Sequence, residues 1–120
     1  MHLQDLPNFL DIDIAESLEE RFMDDEAFYL RFLRKLLSTQ DFALLEQKIA
    51  TEDWGEALRR AHNLKGVCAN LGLNSLSKSF AALVTLLRSE SFTAQEVREG
   101  FSKIVPLWQE TLCCIRKVEE

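Results

Sequence analysis

Apolar residues recur every three or four positions along almost the whole chain of 120 residues. That spacing places them on one face of an α-helix, whereas a half-buried strand needs strict alternation of apolar and polar residues. No segment bounded by turn residues shows such alternation, and the two prolines and four glycines interrupt the pattern rarely. The sequence therefore predicts an all-α fold.

The apolar stripes and the residues that cap them define five helices. An aspartate or threonine followed three residues later by a glutamate marks the start at Asp13, Asp53 and Thr93. The stripe of the second helix changes phase around Ser38 to Asp41, so a kink or break is expected there. Pro106 lacks the amide hydrogen for one helical bond, and we expect a bend in the fifth helix. The helices are predicted at about 13–22, 24–49, 53–71, 74–89 and 93 to near the C-terminus.

Four of these helices are long and are joined by short connections, which favour antiparallel neighbours. We therefore predict an up-and-down antiparallel four-helix bundle, with the short helix at 13–22 as an extra N-terminal element covering one end. The bundle spans 13–118 and residues 1–12 are interpreted as a tail. The length fits a single domain over 1–120.

Charge and composition exclude several function classes. Twenty acidic residues against 14 basic ones give a net charge of −6, which disfavours binding to nucleic acid or to anionic membranes. The few glycines form no loop that could hold nucleotide phosphates. Cys68, Cys113 and Cys114 fit neither a disulfide framework nor a zinc site. The segment 1–13 has no signal-peptide character, so we expect a cytoplasmic protein.

The third predicted helix carries a histidine at the edge of its apolar face. A helical wheel places His62 about 120° from the centre of that face, so we expect it to be exposed. Arg59, Lys65, Gly66 and Ala69 share its side of the helix. Glycine inside a helix costs ~1 kcal/mol relative to alanine, and no turn requires Gly66. Its missing side chain leaves room for another molecule to approach the imidazole ring.

These residues suit the transfer of a phosphoryl group. An exposed imidazole is mostly neutral at pH 7, and its ring nitrogen can then attack phosphorus. Lys65 would neutralise phosphoryl oxygens. A phosphohistidine is labile and therefore suits a carrier, and because the chain has no convincing magnesium cluster, we expect Mg²⁺ to be supplied by the partner.

The run from Ala61 to Gly72, AHNLKGVCANLG, closely resembles the motif of histidine-containing phosphotransfer (HPt) domains. In that family H-x-L-K-G is followed, six residues after its glycine, by another glycine. The resemblance covers most of residues 11–90 and includes Trp54 after an acidic residue. It implies that His62 is the phosphorylated residue, Lys65 the phosphate-stabilising cation and Gly66 the clearance for a receiver domain of a response regulator or hybrid histidine kinase.

The resemblance has one departure. Several members of the family place a glutamine on the following helix to orient the histidine, and the same count reaches Val84 here. That support is either absent or supplied elsewhere. The partner is expected to dock around His62 and Lys65 on a surface that includes Arg59, Asn63, Val67, Ala69 and Asn70.

Other residues that could carry chemistry have simpler interpretations. His2 is expected to be incidental, and Cys68 lies on the core stripe as a small apolar side chain. Trp54, Trp108 and the eight phenylalanines recur at helical spacing and are interpreted as packing. The acidic pairs lie at helix ends, where they cap helices and favour solubility.

Two functions remain open at this point. The first is a monomeric phosphorelay intermediate, a covalent carrier and not an enzyme, that takes a phosphoryl group from one receiver-domain aspartate and passes it to another receiver domain. The second is a helical interaction module that regulates a kinase or a response regulator without carrying phosphate. A helical metal enzyme fails for lack of ligands, since a single usable histidine cannot hold a metal pair.

Overall fold

The structure is a computed structural model, and it describes residues 1–119. Within that range there is no strand, and the helical fold predicted from the apolar spacing is confirmed. A short 3-10 helix at Leu3–Asn8 is followed by six α-helices. They are α1 (Ile14–Arg21), α2 (Glu26–Lys35), α3 (Asp41–Ala50), α4 (Trp54–Asn70), α5 (Asn74–Arg88) and α6 (Ala94–Arg116).

The helices begin where the capping residues predicted them. The carboxylates of Asp13, Asp25 and Asp53 each accept a hydrogen bond from the backbone amide three residues later. Thr93 and Glu96 form a reciprocal capping box, with bonds of 2.9 and 3.1 Å. Each of these contacts satisfies an amide that the first helical turn leaves without a partner.

The expected kink or break in the second predicted helix is a full break, so that α2 and α3 are separate. Residues 36–40 join them, and the Thr39 hydroxyl accepts a hydrogen bond from the Asp41 amide at the start of α3. Helix α6 runs through Pro106. The bend expected at that proline stays a prediction.

Four helices close a ring around the core. Helix α4 packs between α3 and α5, and α6 packs against both α5 and α3. The rings of Phe42 and Trp108 stack at 4.6 Å inside it, and Phe80 meets Trp108 edge-on. These aromatic residues pack as predicted. The short connections agree with antiparallel neighbours, whereas the strict up-and-down order stays a prediction.

Residues 1–12 are not the tail that the sequence suggested. Leu3, Leu6 and Leu10 are buried, and the N-terminal ammonium group donates a hydrogen bond to the carbonyl of Lys117. Their apolar spacing of three and four residues was the signal, although the segment is too short to form a stable helix by itself. Burial against the bundle supplies the missing stabilisation.

The N-terminal segment also holds the turn between α4 and α5. The amide of Asp13 donates to the carbonyl of Gly72 at 2.9 Å, and Ile12 forms an isolated antiparallel bridge with Leu73. The Tyr29 hydroxyl donates a buried 2.6 Å hydrogen bond to the carbonyl of Leu71. Elements that precede the bundle therefore fix the end of α4.

None of the helices within residues 1–119 combines the length and the apolar character needed to cross a bilayer.

Candidate functional site

Helix α4 presents His62 to solvent. Ala57, Ala61, Leu64 and Cys68 form its buried face, and His62 lies outside that stripe with an exposed side chain. The exposure predicted from the helical wheel is therefore confirmed. Because a helix fixes the direction of its side chains, the imidazole ring is available to a second molecule.

Two cations lie one turn away from His62 along α4, and they differ in their surroundings. Arg59 is exposed and pairs with Glu56 at 3.4 Å. Lys65 is half-buried, and its ammonium group forms no ion pair with any group in residues 1–119. The positive charge of Lys65 is thus not neutralised by the fold and can attract an incoming anion.

Gly66 lies on the same side of α4 as His62, and no contact in the fold requires a glycine there. A Cβ built at this position would meet nothing within 4 Å, so alanine would fit and would favour the helix by ~1 kcal/mol. The empty space one turn beyond His62 belongs to the outer surface of the molecule. It is compatible with close approach of a second molecule.

The residues that the sequence assigned to the partner surface fall on two sides of α4. On the helical wheel, His62 and Ala69 lie toward α5, where the Ser77 hydroxyl donates to the carbonyl of Lys65 at 3.3 Å. Asn63, Val67 and Asn70 lie on the other side. All five predicted contact residues, Arg59, Asn63, Val67, Ala69 and Asn70, are exposed.

A wide apolar groove of about 910 Å³ adjoins the second side of α4. Val67, which is 42% exposed, forms one wall, and Phe28 and Phe32 of α2 contribute to the opposite one. The two phenylalanine rings meet edge-on at 4.8 Å. These rings, interpreted from the sequence as packing, do pack, but they also line an open surface.

Cations and no carboxylates line this groove. Arg21 at the end of α1 and Lys35 at the end of α2 both contribute to it. The Lys35 ammonium lies 4.2 Å from the centre of the Phe32 ring, a cation–π contact. The chain as a whole has a net charge of −6, so the groove is a positively charged region of an acidic protein. The sequence could not reveal it, because the cations come from different helices.

The three cysteines are free and differ in burial. Cys68 is buried, as predicted, and burial raises the pKa of its thiol to about 12. Cys113 is exposed and Cys114 half-buried, and both are free thiols. Residues 1–119 contain no group of three or more His, Cys, Asp or Glu side chains arranged to hold a metal ion.

Val84 is buried in the core, where several members of the resembled family carry glutamine. An aliphatic side chain offers no hydrogen bond. Any group that orients the His62 ring must therefore come from another position.

Comparison with known families places the site in context. The family model described as Hpt domain matches residues 32–110, which is more than half of the chain and includes His62, Lys65 and Gly66. Neither curated proteins nor solved structures give a match. On the family match, the chain belongs to the Hpt domain family, whose members carry out histidine phosphotransfer in two-component phosphorelays.

Proposed function

We propose that this chain is a phosphorelay intermediate in which His62 accepts a phosphoryl group from a receiver-domain aspartate and passes it to another receiver domain. The observation that carries the proposal is the exposed imidazole of His62 on α4 with open space at Gly66 one turn along. The chain acts as a covalent carrier and not as an enzyme. We expect it to be a cytoplasmic monomer.

The transfer exchanges one bond to phosphorus for another. A ring nitrogen of neutral His62 attacks the phosphorus of the aspartyl phosphate, so an N–P bond forms while the P–O bond to the aspartate breaks. The aspartate leaves as a carboxylate, and the other ring nitrogen releases its proton to solvent. Attack by a second receiver aspartate on the phosphohistidine reverses these changes.

Lys65 is proposed to stabilise the phosphoryl oxygens during this exchange. Its ammonium group has no carboxylate partner within the described chain, so it can approach the incoming group without first breaking an ion pair. Charge neutralisation dominates catalysis of phosphoryl transfer. Mg²⁺ is expected on the partner receiver domain, and this chain contributes no ligand set of its own.

The docking surface is proposed to extend on both sides of His62. Gly66 provides clearance for the partner, and Arg59, Asn63 and Ala69 surround it with small or polar groups. Val67 and Asn70 continue the surface into the apolar groove. The contact is transient, so we expect a small interface of ~1,200 Å² in total.

A second function is a helical module that binds a receiver domain or a kinase without carrying phosphate. The buried Val84 favours it, because the hydrogen bond that glutamine supplies to the histidine in several relatives is missing at that position.

One labelling experiment separates the two functions. The protein is incubated with a panel of receiver domains phosphorylated by labelled acetyl phosphate, and transfer of acid-labile, base-stable label is measured. We expect transfer to wild type and none to His62→Ala. Lys65→Ala should accept label about 10- to 100-fold more slowly, and Lys103→Ala, which changes an exposed lysine on α6, should match wild type. Receiver binding by wild type and His62→Ala alike, without labelling of either, would support the second function.

A further inference from the structure

Met23 combines two unfavourable features that the fold does not require. It follows α1 in the turn 22–25, its side chain is 84% exposed and its backbone has a φ of 51°. The left-handed region disfavours any residue with a Cβ, and glycine is the usual residue at this position after a helix. A large apolar side chain in water adds a second cost.

The turn itself is well formed, so the strain at Met23 does not reflect a loose segment. The amide of Asp24 donates to the carbonyl of Leu18 at 2.8 Å, and that of Asp25 donates to the carbonyl of Phe22 at 2.9 Å. These bonds close the end of α1 and hold the turn in one conformation. The methionine side chain is therefore presented outward from a rigid base.

Met23 stands beside the groove that adjoins the His62 helix. The two residues before it, Arg21 and Phe22, line that groove, and Arg21 is hydrogen-bonded to Asn70 of α4 at 2.8 Å. Asn70 is eight residues beyond His62, or ~12 Å along the helix. A contact of ~600 Å² on each partner is about 28 Å across. A contact of this width that includes His62 and covers the groove is wide enough to include the turn at Met23.

We infer that Met23 is a specificity-determining contact for the receiver domain, whose surface receives its side chain in an apolar recess. The inference rests on the proposed function, because it needs a receiver domain docked over His62. Methionine suits such a role, since its flexible thioether adapts to irregular apolar surfaces. Asp24 and Glu52 share the left-handed backbone, so it is the exposed apolar side chain that distinguishes Met23.

The test compares glycine substitutions at two left-handed positions. Met23→Gly relieves the backbone strain at residue 23, leaves that at Asp24 (φ 58°) unchanged, and removes the apolar side chain. Glu52→Gly relieves the same strain (φ 57°) in the turn before α4, at the other end of that helix from Asn70. Met23→Gly should not lower the melting temperature. Glu52→Gly also loses the exposed ion pair to Arg98 at 3.2 Å, and relief of the strain should offset that loss. The second is therefore a matched control for the first.

We expect Met23→Gly to lower the second-order rate constant for phosphoryl transfer from the best receiver donor about tenfold, mainly through weaker binding of the receiver domain. Met23→Leu should stay within about threefold of wild type, and Glu52→Gly should equal it. Equal rate constants for Met23→Gly and wild type would overturn the inference. Titration with the same receiver domain without phosphate separates the two claims. Weaker binding by Met23→Gly, with no transfer to any variant, would reject the carrier function and retain the contact.

Discussion

The Nε of Arg21 donates a 2.8 Å hydrogen bond to Oδ1 of Asn70, and so the end of α1 is tied to the end of the helix that carries His62. Both side chains are exposed, so water competes for the same groups and the contact contributes little stability. The hydrogen bond is of interest because of where it lies. The groove lies between the two elements that it joins.

A double-mutant cycle on Arg21 and Asn70 should show a small coupling in stability and a larger effect on transfer. We expect the free energy of unfolding to fall by about 0.5 to 1 kcal/mol in either single alanine variant, with a coupling of about 0.5 kcal/mol, measured in urea. Transfer from a receiver domain should slow in both, because one wall of the groove is no longer held.

The ion pair between Arg98 and Glu52, at 3.2 Å, is the control for that cycle. It is also exposed and joins distant parts of the chain, but it involves no residue of the groove. Its alanine variants should have similar effects on stability and none on transfer. Equal transfer rates in all of these variants would contradict a role for the Arg21 contact in docking.

Gly66 and Gly55 form a matched pair for testing whether the partner needs open space beside His62. Both lie on the outer face of α4, and a Cβ built at either position meets nothing within 4 Å. Alanine should therefore stabilise each variant by ~0.5 to 1 kcal/mol in thermal or urea unfolding. Only Gly66→Ala should slow phosphoryl transfer, and Gly66→Val should slow it further, because each added group occupies the approach to His62.

One outcome would contradict the prediction for Gly66. If Gly66→Ala and Gly55→Ala transfer label at the same rate as wild type, the partner does not need the space at Gly66, and the docking surface must lie elsewhere around His62.

Local patterns in the sequence were sufficient to predict α4 and the exposed position of its histidine. The Asp53 cap, the apolar stripe and Gly72 at the helix end all act within one helix, so spacing alone predicts them. The exposure of His62 follows from the same stripe. The break before Asp41 was also visible as a change of phase.

The groove and the role of residues 1–12 could not be predicted in this way. Phe28 and Phe32 read as core residues because a helical wheel shows which face is apolar but not whether a neighbouring helix fully covers it. Leu3 and Leu6 lie in a segment too short to be recognised as a helix from its own residues. Both features depend on contacts between elements distant in sequence.

The cysteine thiols should differ in their reactivity toward iodoacetamide because they differ in burial. Cys113 is exposed, whereas burial raises the pKa of Cys68 to about 12 from an ordinary value of 9.0. At pH 8 iodoacetamide should therefore modify Cys113 in the native protein and Cys68 only after unfolding, as measured by mass spectrometry. Modification of Cys68 under native conditions as fast as in urea would contradict its burial.

The same shift predicts the sign of a pH effect on stability. Between about pH 9 and 12 the unfolded chain loses the Cys68 proton while the folded chain keeps it. The unfolded state then binds fewer protons, so the free energy of unfolding falls as the pH rises through this range. Cys68→Ala should show a shallower decline than wild type in urea titrations over these pH values.

Of the four glycines, Gly72 is the one at which an added methyl group should lower the stability of the fold most. Its φ is +78°, and a Cβ there would lie 2.8 Å from Ser17 Oγ and still closer to the carbonyl oxygen of Asp13. That carbonyl belongs to backbone fixed by the hydrogen bond between the Asp13 amide and the Gly72 carbonyl, so it cannot move aside without breaking the contact. We expect Gly72→Ala to lower the free energy of unfolding by about 2 to 4 kcal/mol.

Gly100→Ala is the control, because its Cβ would make an ordinary 3.7 Å contact with Leu83. This variant should be as stable as wild type or more so. Equal stability of the two variants would show that the N-terminal segment does not hold the end of the His62 helix.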